Sequence, residues 1–477
     1  MKKENRKKYL IKNTAILAIG NIATKLISFF LVPLYTNILT TEQYGIIDLL
    51  YTVCTVAYPI ITLNISEAVL RFSMDKDANN NKIMSIANII IAFSIIIGLL
   101  SFPVMNLFDN YRQYSLLFYL YLITLGISQI LLCNLKGKEQ LIEYSIGNFI
   151  HMLLIGLLNI FFLLVIKMGI NGYFWAYIIS NIVVSLYAAI KGNVKDSIFA
   201  FSFDKKLFIE MTKYSVVLIP NSFMWWIMNA SDRVMVTNIL GAQANGIYAV
   251  SYKLPSMLTV ITSIFTSAWI YSAVNEKDSS DKNEYTSSVF SLLVSVILLI
   301  SSGMIMMIKP FLKIYVSNDY YSSWQFTPYL IIGFSILTLA SFLSSSYNVH
   351  KDSKGFLFSG TAGAIINVIL NFLLIPSIGI NGAAIATALS YISVFIYRIF
   401  DTKKYVKVKI FTKEFIIGFL LLFIESLTVY LDSIIGQILL FIEFIVMCFI
   451  FKKELKLMLK SILKILNLKK GGNLNEK

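Results

Sequence analysis

Two stretches of this chain are each written twice, in the same order. Thr36-Asn37-Ile38-Leu39 followed by Gly45-Ile46 returns as Thr237-Asn238-Ile239-Leu240 followed by Gly246-Ile247. Gly169-Ile170-Asn171-Gly172 returns as Gly379-Ile380-Asn381-Gly382, and each copy continues with Ala176/Ala386, Ser180/Ser390 and Tyr187/Tyr397 at equal steps. The copies stand roughly 200 to 210 residues apart, too far for the stacked units of a solenoid, so the chain reads as two homologous multi-span halves.

The solvent of those halves follows from composition. Of 477 residues, 57% are hydrophobic and 14% charged, and a water-soluble chain of that make-up would leave large apolar surfaces uncovered. Runs long enough to cross about 30 Å of hydrocarbon lie near 14–36, 44–66, 83–107, 115–135, 144–166, 170–190, 214–239, 246–274, 286–308, 328–349, 356–377, 380–399, 414–431 and 434–451, about fourteen in all. With the amino terminus in the cytoplasm, one side receives only Arg112, Lys167, Lys309 and Lys313, and the other receives nearly all remaining lysines and arginines, roughly eight to one. Both termini are therefore expected inside. Six spans precede the second copy, so the repeats enter the membrane from the same side and are parallel. The expected class is an all-α integral membrane protein, with bundles at 1–206 and 207–400 and two extra helices plus a basic tail at 401–477.

The net charge of +15 is explained by short cytoplasmic connections beside an anionic leaflet, not by nucleic acid. From Lys452 to Lys470, lysines alternate with Leu455, Leu459, Ile462, Leu463 and Leu466 at helical spacing, as in a segment lying on the inner membrane surface. The basic start leads into a full-length span and reads as a retained anchor. Cys54, Cys133 and Cys448 fall inside spans at no metal-ligand spacing.

Chemistry that breaks covalent bonds finds little to work with. There is no phosphate-binding loop of the Walker type, and neither His151 nor His350 is joined to a Ser or Cys nucleophile in a recognisable motif. The polar residues that cost most lie within spans. Lys25 is in the first span, on one face with Asn21 and Ser28; Asp232 and Arg233 are in the seventh and Lys253 in the eighth. An ionised side chain there costs at least ~2.5 kcal/mol and normally faces a wet cavity or a partner. Three cations near one carboxylate leave a positive surplus suited to an anionic cargo. The alternative is that Lys25 snorkels and Asp232 neutralises a neighbour. Glu67 and Arg71 are spaced for a local pair, and Asp48 is near enough to the surface to be solvated.

A second group is rich in oxygen: Asn229 and Asp232 three apart, Asn367 and Asn371 four apart, and Thr387. If their spans meet, these could coordinate sodium, or Asp232 could carry a proton; ordinary hydrogen bonding between helices is the plainer reading. No other cofactor is expected. Pro33, Pro59, Pro220 and Pro255 loosen the entrance spans of both halves, as hinges for one bundle rocking against the other.

The stretch Phe30-Leu-Val-Pro33-Leu-Tyr35-Thr36-Asn-Ile-Leu39-Thr-Thr-Glu42-Gln-Tyr44-Gly45, continuing through Asp48, Thr52 and Pro59 to Glu67-Ala-Val-Leu-Arg71-Phe72, resembles the polysaccharide transporter family. These are Wzx-type flippases of O-antigen and capsule repeat units, in the superfamily that also holds multidrug exporters and lipid II flippases. The resemblance implies a V-shaped pair of six-helix bundles around a basic cavity, alternating access with ion coupling, and a cargo of oligosaccharide on undecaprenyl pyrophosphate. It implies that Lys25 and Lys253, and then Arg233, meet the pyrophosphate or acidic sugars. It also implies a sodium site near Asp232, Asn367, Asn371 and Thr387, and a groove for the lipid tail beside the last two spans. This chain has mainly lysines where lipid II flippases carry arginines, which sets it apart from them.

The sequence thus points to a non-enzymatic flippase in a bacterial plasma membrane, working with membrane lipids and alongside a polysaccharide polymerase and glycosyltransferases. The rivals are a multidrug exporter of the same fold, for which cavity carboxylates would be expected, and a membrane polymerase or ligase, for which the outer connections offer few acid/base groups. A scaffold for an envelope assembly is a third.

Overall fold

The structure, a computed structural model, describes residues 22, 24–75, 77–195, 202–275, 279–350 and 352–456, and the side chains of 221, 229, 267, 268, 271 and 275 fall outside that description. Asn21 and most of the expected amphipathic tail lie outside the described residues. The described residues are helix and connection, with no strand among them. Where it is described, each expected span falls on helix, and nine helices among the described residues are long and apolar enough to cross a membrane. The chain is an all-α integral membrane protein.

The helices run α1 (24–38), α2 (Thr41–Ile61), α3 (Ile65–Ser73), α4 (Asn80–Gly98), α5 (Ser101–Asn106), α6 (Ser115–Gly137), α7 (Leu141–Asn159), α8 (Gly169–Lys191) and α9 (Lys205–Leu240). They continue as α10 (Ala242–Ser251), α11 (Lys253–Asn275), α12 (Lys282–Tyr315), α13 (Thr327–His350), α14 (Ser353–Ile378), α15 (Ile380–Asp401), α16 (Lys413–Thr428) and α17 (Ile434–Ile450). By compactness they form two units. The first holds Met1–Lys253 with Tyr315–Ser323 and Asn367–Ala383; the second holds Leu254–Ile314, Trp324–Ile366 and Ala384–Lys477.

Helix starts follow local chemistry. Thr40 and Gln43 form a reciprocal capping box at α2, each side chain bonding the other's backbone amide. Asp204 accepts from the amides of Lys206 (3.1 Å) and Leu207 (3.2 Å), which starts α9 well before the expected residue 214. Those bonds, with the Lys82 ammonium at 3.1 Å, hold the Asp204 carboxyl below the usual carboxylate range. At 36 residues α9 spans about 54 Å, longer than the hydrocarbon requires. In the first unit, Ile65, Val69, Ile83, Ile86, Leu132 and Val184 build a continuous buried core between α3, α4, α6 and α8.

Both sequence echoes have a structural reason. Gly169 and Gly379 take the left-handed conformation, with φ of 54° and 63°, and turn the chain into α8 and α15. Gly382, three residues on, lies so close to the preceding helix that a Cβ would stand 2.3 Å from the Leu374 carbonyl oxygen. The other echo makes a helix crossing inside the first unit. A Cβ on Gly45 would stand 1.8 Å from the Ala242 carbonyl oxygen, and one on Gly246 would stand 1.9 Å from the Thr41 carbonyl oxygen. The Asn245 side chain donates to the Gly45 carbonyl across this seam at 2.9 Å. Small residues let α2 and α10 approach backbone to backbone, as is common between membrane helices.

The segment Tyr315–Ser323 fastens α1. Tyr315 Oη donates to the Phe29 carbonyl (2.6 Å), Ser317 Oγ to that of Thr36 (2.6 Å), and Tyr320 Oη to those of Leu39 and Thr40 (3.0 and 2.8 Å). Two of the four expected proline hinges stand at breaks. Pro59 precedes the turn at Thr62–Asn64, where Leu63 and Asn64 both have φ of 51°, and Pro255 follows the break at Tyr252 between α10 and α11. Pro33 and Pro220 sit in unbroken helix.

Candidate functional site

The expected cations converge within the first unit. Arg233, on α9, places Nη1 2.6 Å from Asp48 Oδ1 on α2, with the two side chains 16% and 7% exposed. Asp48 is therefore a buried partner, a correction of the solvated role expected for it: the packing of α9 and α10 on α2 covers it. Arg233 does not pair through its side chain with Asp232. Only its backbone amide reaches that carboxylate, at 2.9 Å, as the angular separation of adjacent helical residues requires. The Arg233 guanidinium also lies 5.1 Å over the Tyr252 ring, and the Lys253 ammonium lies 5.9 Å from the centre of Tyr44. Lys253 is within electrostatic range of Asp48 and Arg233, and Lys25, exposed on α1, is within range of Lys253. A second local expectation is corrected: Arg71 pairs with Asp75 at 2.6 Å, both half exposed at the end of α3, and not with Glu67.

A wall of tyrosines adjoins these charges, and sequence reasoning missed it. Tyr35, Tyr44, Tyr51, Tyr121, Tyr173 and Tyr177 form a connected set, with neighbouring ring centres 4.6–6.2 Å apart. Tyr51 presents the most surface, at 36%. The signal was available as Tyr44, Asp48 and Tyr51 at helical spacing and Tyr173 and Tyr177 four apart. Asp48 Oδ2 and Arg233 Nε are buried and have no hydrogen-bond partner among the described residues. An apolar cleft of about 440 Å³ is lined by Leu49, Val53, Val104, Phe108, Leu122 and Val234 among others. Leu49 and Val234 are the sequence neighbours of Asp48 and Arg233, so the helices that carry the ion pair also border the cleft.

The oxygen-rich group is only partly assembled by what the structure describes. Asn371 Nδ2 and Ser231 Oγ both donate to Asn367 Oδ1, at 2.9 and 3.2 Å, which brings α14 to the residue beside Asp232. Asp232 itself is fully buried, and its Oδ2 accepts from Tyr248 and Tyr252, each at 2.6 Å. Thr387 is buried on α15 in the second unit, and the Asn229 side chain is outside the described residues. Two further carboxylates within spans, Glu425 on α16 and Glu443 on α17, were not singled out from sequence.

Residues 10–271 match the family model described as polysaccharide biosynthesis protein. The chain is 21% identical over 424 residues to an uncharacterized membrane protein of Methanocaldococcus jannaschii, covering 82% of this chain and 97% of that protein. Its fold resembles the inward closed conformation of the lipid II flippase MurJ, with a TM-score of 0.68 at 15% identity over 95% of this chain and all of the other. It also resembles an inward-facing multidrug resistance transporter of the MATE family in the MOP superfamily, with a TM-score of 0.56 at 11% identity, covering 81% and 94% of the two chains.

Proposed function

The chain belongs to the polysaccharide biosynthesis protein family, and on that premise we propose that it flips lipid-linked oligosaccharide repeat units from the inner to the outer leaflet of a bacterial plasma membrane, with both termini in the cytoplasm. The observation that carries this reading is the meeting of Lys25, Lys253 and the Arg233–Asp48 pair with a tyrosine wall in a protein of transporter fold. A sugar on undecaprenyl pyrophosphate joins an anion, a polar body with apolar ring faces, and a prenyl chain. Ammonium and guanidinium groups suit the anion, tyrosine faces and hydroxyls suit the sugar, and the unpartnered Asp48 Oδ2 and Arg233 Nε supply further polar contacts. The prenyl chain stays in lipid or in an apolar cleft, so only the head group needs a polar route across the hydrocarbon. Alternating access drives the cycle, and the cargo is made and consumed by glycosyltransferases and a polymerase.

Lys253→Ala and Lys25→Ala should each reduce surface polysaccharide about ten- to a hundredfold while protein level stays unchanged, because a charge-assisted hydrogen bond is worth roughly 1.5–3 kcal/mol. Lipid-linked repeat units should accumulate facing the cytoplasm. Normal polymer in both variants contradicts the assignment. Sodium binding by Asp232, Asn367 and Asn371 is tested by replacing sodium with choline at fixed pH. Transport should slow severalfold if these oxygens hold sodium, and an unchanged rate removes sodium from the proposal.

A further inference from the structure

The two helices beyond the repeat carry a pair of carboxyl groups to which neither the charge pattern nor the candidate site gives a role. Glu425, on α16, is 1% exposed, and its Oε1 accepts a hydrogen bond from Ser302 Oγ of α12 at 2.6 Å. Glu443, on α17, accepts from Thr428 Oγ1 of α16 at 2.8 Å. The second oxygen of each carboxyl group, Oε2, is buried with no protein partner among the described residues. The two groups are within electrostatic range of each other, and Cys448 of α17 is within range of Glu425.

The surrounding elements supply no neutralising charge at this level. On α12, Lys309 is committed to Asp432 at 2.5 Å, about two helical turns beyond Ser302, while Lys282, Glu284 and Lys313 stand near the helix ends. Helix α13 has His350 at its far end as its one ionisable group of that kind, and α16 has Lys413 and Glu414 in its first turn. Beyond Glu443, α17 has no charged residue before Lys452 and Lys453. Two ionised carboxylates would face mutual repulsion as well as the cost of charge in hydrocarbon, several kcal/mol by order of magnitude. A hydroxyl donor on one oxygen of each relieves only part of that. A proton on Oε2 removes the charge.

We propose that Glu425 and Glu443 form a proton-binding site on the two additional helices, holding at least one proton at neutral pH, and that this proton is a coupling ion of the transport cycle, separate from any sodium at Asp232. The proton binds one carboxylate oxygen from water on one side of the membrane and leaves to water on the other, so the site alternates between carboxyl and carboxylate. The coupling clause rests on the transport reading above; the proton site itself does not.

The test is infrared difference spectroscopy of the purified full chain in lipid nanodiscs, reading the stretch of protonated carboxyl C=O, which is resolved from carboxylate bands. Wild type minus the Glu425→Gln/Glu443→Gln double variant should show this band at neutral pH, and raising the pH should convert it to carboxylate. The two single variants then assign the band to one carboxyl group or to both. Gln keeps the side-chain shape and the bond from Ser302, and a size-exclusion profile like that of wild type confirms folding; should the double variant fail that check, the pH-dependent band of wild type compared with each folded single variant supplies the reading. No difference band at neutral pH between wild type and the folded double variant, no pH-dependent protonated band in wild type, or carboxylate bands that shift with sodium, overturns the site. In proteoliposomes, cargo movement should carry protons in wild type and carry at least tenfold fewer in Glu425→Gln. An intact band with proton-independent transport overturns coupling alone, and an intact band with no movement of lipid-linked sugar faults the transport reading.

Discussion

Asp48→Leu should cost the folded protein about 3–5 kcal/mol, because it strands the Arg233 guanidinium in a buried position with its 2.6 Å partner gone. Adding Arg233→Met to Asp48→Leu should recover most of that loss, since a buried ion pair exchanged for apolar side chains of similar volume is often close to neutral. Export should not return with stability. If Arg233 meets the anionic head group, the double variant is a well-folded protein that leaves lipid-linked sugar on the cytoplasmic side. Thermal unfolding in lipid mixed micelles and surface polysaccharide, measured on the same three proteins, separate the two roles. A double variant that regains both stability and export assigns the pair to packing.

Gly246→Ala should be as damaging, for a steric reason. Its Cβ would lie 1.9 Å from the Thr41 carbonyl oxygen, a backbone atom that cannot rotate aside, so α10 must move off α2 and break the Asn245 bond to Gly45. Overpacking of this kind typically costs about 1–3 kcal/mol and more where backbone opposes backbone. Gly45→Ala should behave alike, because the same crossing is met from the other side. The check is the yield and thermal midpoint of purified protein, and variants as stable as wild type would show that the two helices do not cross this closely. Gly241→Ala is a useful contrast: no atom lies within 4 Å of its Cβ, but its φ of 94° strains any L side chain.

The repeat made much of the fold legible. Gly45 and Gly246, and Gly169 and Gly379, recur because a helix crossing and a helix-to-helix turn each demand a missing Cβ, and such constraints leave a mark in one sequence. Apolar runs located the helices within a few residues except where a cap extended them, as Asp204 does for α9. The site was legible only as a set of residues that are costly to bury. Lys25, Lys253 and Arg233 announce themselves by charge inside apolar runs. Their partners do not: Asp48 lies 185 positions from Arg233, and pairing over such a distance leaves no spacing rule to read. The tyrosine wall escaped for the same reason, since aromatic residues in spans are common and only packing shows that Tyr51, Tyr121 and Tyr177 meet. Glu425 and Glu443 were visible as lone acids in apolar runs, but the bond from Ser302 of another helix is what gives Glu425 a setting.

The central claim is that the cations of the first unit hold the anionic head group of a lipid-linked sugar, and ligand binding tests it most directly. Undecaprenyl pyrophosphate and undecaprenol, differing only in the anion, should be compared on purified protein by native mass spectrometry. The pyrophosphate should bind at least about tenfold more tightly, or about 1.4 kcal/mol, and a Lys25→Ala/Lys253→Ala protein should lose that preference. Equal binding of the two lipids by the unaltered protein would contradict the account.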